Sequence, residues 1–118
     1  MFKKMVNVLG TEYTIDFVKE FPEHMSDFQE TSEAVCNFYD KIIYVRYYDG
    51  NDITEIGKKE INKKNLRHEI VHAFLFESGL SSNTYECIGA WAEHEEMVDW
   101  FAIQSPKIFK VFRELNIL

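Results

Sequence analysis

Residues 66–80 read LRHEIVHAFLFESGL, an apolar run in which two histidines stand four apart and a glutamate directly follows the first. On a helix, positions i and i+4 share a face about one turn apart, so His68 and His72 point the same way with Glu69 beside them. In the pattern H-E-x-x-H two imidazoles hold one Zn²⁺, and the glutamate reaches the water that the metal activates. At the His and Glu content of this chain the pattern arises by chance on the order of 0.02 times, so coincidence explains it poorly. Ile70, Val71, Ala73, Phe74, Leu75 and Phe76 surround the motif, which predicts a largely buried helix whose imidazoles need partners. The motif therefore predicts the floor of a zinc site, with His68 and His72 as ligands and Glu69 as general base.

A catalytic zinc takes a third protein ligand and keeps a position open for water. The stretch AEHEEMVDWFA, residues 92–102, offers Glu93, His94, Glu95, Glu96 and Asp99. As a helix it places Glu95 and Asp99 on one face with Trp91, Val98 and Ala102, the face expected to pack against the motif helix. Glu95 is then the expected ligand, with His94 and Glu96 as alternatives. Asp99 is expected to accept a hydrogen bond from the distal nitrogen of a liganding histidine and so fix its tautomer.

Outward from the motif, Gly79 and Leu80 read as a helix C-cap with an apolar residue folding back. Asn83 with Glu86 three residues later has capping-box spacing and predicts a second helix reaching Ser105. Ser105 and Pro106 then read as the start of a third helix, with Ile108, Val111, Phe112 and Leu115 on one face. Upstream, TEYTIDFV at 11–18 alternates polar and apolar residues as a half-buried strand does, and MVNVL before it makes a hairpin through Gly10. KIIYVRYY at 41–48 reads as a more central strand, ended by DGND at 49–52. The stretch between them predicts a short helix and another strand ending near Asp40. Strands over 1–50 followed by helices over 53–118 mean one α+β domain spanning 1–118.

Composition narrows the function. The chain has 118 residues, 46% of them hydrophobic and 15% aromatic, which suits a packed core. A formal charge of −7 argues against nucleic acid as partner. No apolar run approaches the roughly 20 residues of a membrane span, and MFKKMVNVLG lacks a signal-peptide cleavage site, so a soluble cytoplasmic protein with no membrane partner is expected. Cys36 and Cys87 lack metal or redox spacing and read as buried free thiols.

His68, Glu69 and His72, followed by Glu95 and Asp99 in HEEMVDWFA, resemble the gluzincin-type minimal metallopeptidases. The pattern looks like the ImmA/IrrE-type enzymes and the short zincin-like proteins encoded in prophages. Glu95, Asp99, Phe101 and Ala102 match that family's second-helix motif, whereas Met97 and Val98 depart from it. The resemblance implies a zincin-like fold, with a small twisted, mostly antiparallel sheet packed on the motif helix and two further C-terminal helices after it. It also implies hydrolysis of a peptide or protein substrate, such as a regulator, in a cleft bordered by an edge strand. Tyr85 and His94 are candidate oxyanion or substrate contacts, and Arg67 is either a surface charge or a contact for a substrate carboxylate or phosphate. A zinc-binding interaction module that no longer turns over is the alternative.

Overall fold

The alternation at residues 11–18 is borne out by a strand whose apolar side chains reach the core. In the computed structural model, which describes residues 3–29, 32–80 and 94–118, β1 (Lys3–Val8) and β2 (Thr11–Val18) form an antiparallel hairpin. Leu9 and Gly10 both adopt positive φ, 51° and 91°, as a two-residue turn matched to strand twist requires. The Asn7 side chain accepts a hydrogen bond from the Gly10 N–H at 2.8 Å and closes the turn. A 3₁₀ turn at Glu23–Phe28 then leads to β3 (Ala34–Asn37) and β4 (Ile42–Arg46), also an antiparallel pair.

The sheet order is β1-β2-β4-β3, and β4 runs parallel to β2. The sheet is therefore mixed, antiparallel at both edges and parallel at its centre. The uninterrupted IIYV of β4 follows from that central place, because both faces of the strand are covered. Ile43 and Val45 point with Val8, Tyr13 and Ile15 into one core, while Tyr44 points into a second with Phe21 and Met25 from the 3₁₀ region.

The helix α1 (Glu55–Glu77) begins at Thr54, whose hydroxyl accepts the Gly57 N–H at 3.1 Å. Leu66, Ile70 and Ala73, spaced for one helical face, seat it on the sheet over the first core. Glu77 at its last turn accepts hydrogen bonds from the Tyr13 hydroxyl at 2.7 Å and the Lys41 ammonium at 2.8 Å, which fastens the helix end to β2 and to the residue before β4. Gly79, with φ of 85°, follows the helix as its sequence position leads one to expect.

The last helix, α2 (Glu95–Glu114), corrects the expected boundary at Ser105 and Pro106, because the helix runs through both. One helix, and not the end of one and the start of another, occupies 95–114. Proline has a helix-compatible φ but no N–H, so it cannot supply the bond due to the carbonyl of Ala102 four residues back. The Arg67 side chain donates its Nε–H to that carbonyl instead, so Arg67 is not a free surface charge but joins α1 to α2. The expected segment from Asn83 to Glu93 lies outside the described residues. Val98 and Ala102, both fully buried, form the face of α2 that docks. Cys36 is a partly buried free thiol whose pKa is pushed well up, chiefly by burial, and Cys87 lies outside the described residues. No helix among the described residues is long and apolar enough to cross a membrane.

Candidate metal centre

The docking of α2 on α1 brings His68, His72 and Glu95 together, with one ligand atom of each within 4.8 Å of the others. His72 Nε2 lies 2.7 Å from Glu95 Oε1, and His68 Nε2 lies 3.2 Å from Glu95 Oε2. The two Nε2 atoms are themselves 3.2 Å apart. Four ligands placed tetrahedrally at zinc–nitrogen and zinc–oxygen distances stand about 3.3 Å from one another. The donor set fits a divalent cation on chemistry as well as on spacing. Two imidazole lone pairs and a carboxylate converge on one point, and such lone pairs repel unless a proton or a cation lies between them.

Each side chain owes its place to its element. The four-residue spacing on α1 stacks the imidazoles, whose ring centroids are 4.9 Å apart. Glu95 is the first residue of α2 and reaches back over α1 from the helix terminus. Asp99, one turn on, has Oδ1 3.1 Å from His68 Nδ1. A proton on Nδ1 donated to Asp99 leaves the Nε2 lone pair free for a metal, which is the tautomer role expected for this aspartate. Lys64 Nζ stands 3.6 Å from the same oxygen as a second partner of the carboxylate.

Glu69 is the only buried charged residue among those described, 8% exposed. Burial pushes its carboxyl up to about 7; the neighbouring His68 opposes this and the Glu95 charge reinforces it. A dication held by the three ligands would draw the value down again. Burial, the largest cause, holds the His72 imidazole below its usual range, with the His68 charge adding to the effect and Glu95 opposing it, which favours the neutral ring with one lone pair that a metal can take.

Where α2 starts decides which candidate third ligand lies beside the histidines. His94 is its N-cap, with Nδ1 accepting the Met97 N–H at 3.3 Å, and its ring is exposed. That bond commits one ring nitrogen to the helix end, so His94 serves α2 before any oxyanion. Glu96 is exposed and does not join the cluster. Glu93 and Tyr85 lie outside the described residues.

A cleft of about 200 Å³ opens beside the histidines, between α1 and the edge strand β3. Ser32, Glu33 and Ala34 form its strand side, and Lys64 and Asn65 extend its helical side. Strand β4 takes the central place expected of residues 41–48 and packs under α1, and the edge strand β3 borders the cleft. Residues 32–34 and Asn65 were not evident as site residues from sequence. Asn65 lies one turn before Glu69 on the same face, the one signal that marks it; its amide nitrogen is buried without a hydrogen-bond partner. Comparison with known protein families, with characterised proteins and with solved structures finds no match for the chain.

Proposed function

We propose that the protein is a zinc-dependent peptidase, in a fold of zincin type, that hydrolyses an extended peptide or protein segment. The observation that carries this reading is the convergence of His68, His72 and Glu95 within 4.8 Å, with the buried Glu69 next to His68. A bound zinc would supply Lewis acidity, polarising the scissile carbonyl and acidifying a water toward a pKa of ~7. Glu69 removes a proton from the attacking water and delivers it to the leaving amine nitrogen as the C–N bond breaks and the new C–O bond forms. Asp99 keeps the His68 proton on Nδ1, and the apolar packing of α1 on the sheet holds Glu69 and both imidazoles in register.

The substrate class follows from the cleft. The edge strand β3 borders it, and an extended chain laid there can pair with unused main-chain groups of the strand. The acidic net charge leaves nucleic acid a poor candidate, and the cytoplasm remains the expected compartment.

Metal analysis of protein purified without added zinc should find one zinc per chain, lost in His72→Ala. Glu69→Gln should keep the metal and lose hydrolysis of a denatured-protein substrate by at least about a hundredfold. Full hydrolysis by Glu69→Gln would refute the proton role. Hydrolysis absent from metal-loaded wild type with every substrate tried would leave a metal-binding interaction module.

A further inference from the structure

Among the described residues, the polar contacts of α2 with α1 fall at Glu95, Asp99 and Ala102, which are i, i+4 and i+7 on one helical face. The first two bear on the histidines. The third bears on nothing chemical, since Arg67 donates its guanidinium Nε–H to the main-chain carbonyl of Ala102. That carbonyl is available because Pro106, inside the helix, has no N–H to give it.

We propose that Arg67 is a positioning residue for the metal centre, setting the axial position of α2 through the carbonyl that Pro106 leaves unpaired. This rests on the metal reading above. Glu95 stands at the first position of α2 with its side chain 69% exposed, so deep packing does not hold it. The His94 cap satisfies one N–H of that end but does not tie α2 to α1, so the axial position of the carboxylate depends on contacts further along the helix. Ala102 lies seven residues on, about 10 Å along the axis, and is fully buried as Val98 is. A slide of α2 by a single residue moves it about 1.5 Å. That is more than half of the 2.7 Å separating Glu95 Oε1 from His72 Nε2. Arg67 also adjoins His68 in the chain, so its contact ties α2 to the part of α1 that carries the ligands. A planar guanidinium with several donors on a long stem suits the task, whereas the helix's own missing N–H could have satisfied the carbonyl without joining the two helices. The proline and the arginine thus act as a pair, one freeing an acceptor and the other using it between elements.

The test uses the full chain with Zn²⁺ and Co²⁺ as probes. Arg67→Met should lower Zn²⁺ affinity about tenfold by chelator competition, the scale expected when a group that supports metal ligands is lost. It should also change the visible absorption of the Co²⁺ form, a signature of ligand geometry that a general loss of stability does not move. Arg67→Lys, which keeps a donor, should stay within about threefold of wild type. In Pro106→Ala the helix regains its own N–H for Ala102, so adding Arg67→Met should cost on the order of twofold at most. Unchanged Zn²⁺ affinity and Co²⁺ spectrum in Arg67→Met, even with a lower Tm, overturn the proposal, as does an undiminished tenfold loss in the Pro106→Ala background. Should Arg67→Met fail to fold, Arg67→Gln takes its place under the same readouts. His72→Ala is the reference. If it leaves wild-type metal binding untouched, the metal centre itself falls and the proposal with it; if it abolishes binding while Arg67→Met does not weaken it, the positioning role alone falls.

Discussion

Glu77→Gln should destabilise the protein at neutral pH and lose that effect in acid. The Glu77 carboxylate accepts hydrogen bonds from the Lys41 ammonium at 2.8 Å and the Tyr13 hydroxyl at 2.7 Å, and its side chain is 12% exposed. These donors, Lys41 foremost, hold its carboxyl down at about 2, against 4.5 for an unperturbed glutamate. A pKa lowered in the folded state contributes stability that is present in full above the unfolded value and fades as pH falls toward the folded one. That places the loss between about pH 4.5 and 2. The full shift corresponds to about 3 kcal/mol at about 1.4 kcal/mol per unit. Because the Lys41 side chain is 32% exposed, solvent screening reduces the expected value to about 2 kcal/mol. Glutamine keeps the shape and an acceptor but not the charge. Urea unfolding of wild type and Glu77→Gln should therefore differ by about 2 kcal/mol at pH 7, or roughly 8 °C in Tm for a domain of this size. The difference should narrow steadily below pH 4.5. A gap that stays constant down to pH 2 would show that packing, not charge, fastens the helix end, and a gap under about 0.5 kcal/mol at pH 7 would show that the buckle contributes little.

Further outcomes follow from the same geometry. Asp99→Ala should weaken Zn²⁺ binding by about ten- to a hundredfold in chelator competition while the chain stays folded, because it removes the acceptor 3.1 Å from His68 Nδ1. Free Zn²⁺ at about a hundred times its Kd should stabilise the chain by about 2.7 kcal/mol in thermal unfolding, and His72→Ala should abolish the gain. Since burial holds the His72 pKa low, that gain should persist at neutral pH and weaken only below the ordinary histidine range; a gain already lost at pH 7.5 would contradict it. Ile43→Ala, at a fully buried position of the central strand, should cost about 3 kcal/mol in denaturant unfolding, against less than about 0.5 for an alanine at the exposed Tyr39.

The parts of the molecule legible in its sequence are those set by short-range geometry. Alternation at Tyr13, Ile15 and Phe17 reports a strand with one buried face, and positive-φ demands mark Gly10 and Gly79. The spacing of His68, Glu69 and His72 puts three chemical groups on one helical surface wherever the helix goes. The four-residue step from Glu95 to Asp99 is of the same kind, which is why both members of that pair lie at the histidines. Where local rules misled, tertiary structure supplied what they lacked. Ser105-Pro106 has every mark of a helix start, yet the helix continues, because an arginine from another element takes the acceptor that proline leaves open.

Three matters belonged to the tertiary structure alone. Which strand forms the edge beside the cleft depends on β4, and not β3, returning to pair with β2, and no local pattern records a register between residues 14 and 42. Which of Glu95 and His94 stands at the histidines turns on where α2 starts, because the imidazole at the N-cap takes the Met97 N–H while the carboxylate of the first helical residue reaches His68 and His72. The third is the environment of Glu69. The sequence by itself determined that a carboxylate stands beside two imidazoles; only the packing of α1 between the sheet and α2 decided that it is buried and raised to about 7, because desolvation is a property of everything around a group and not of its neighbours in the chain.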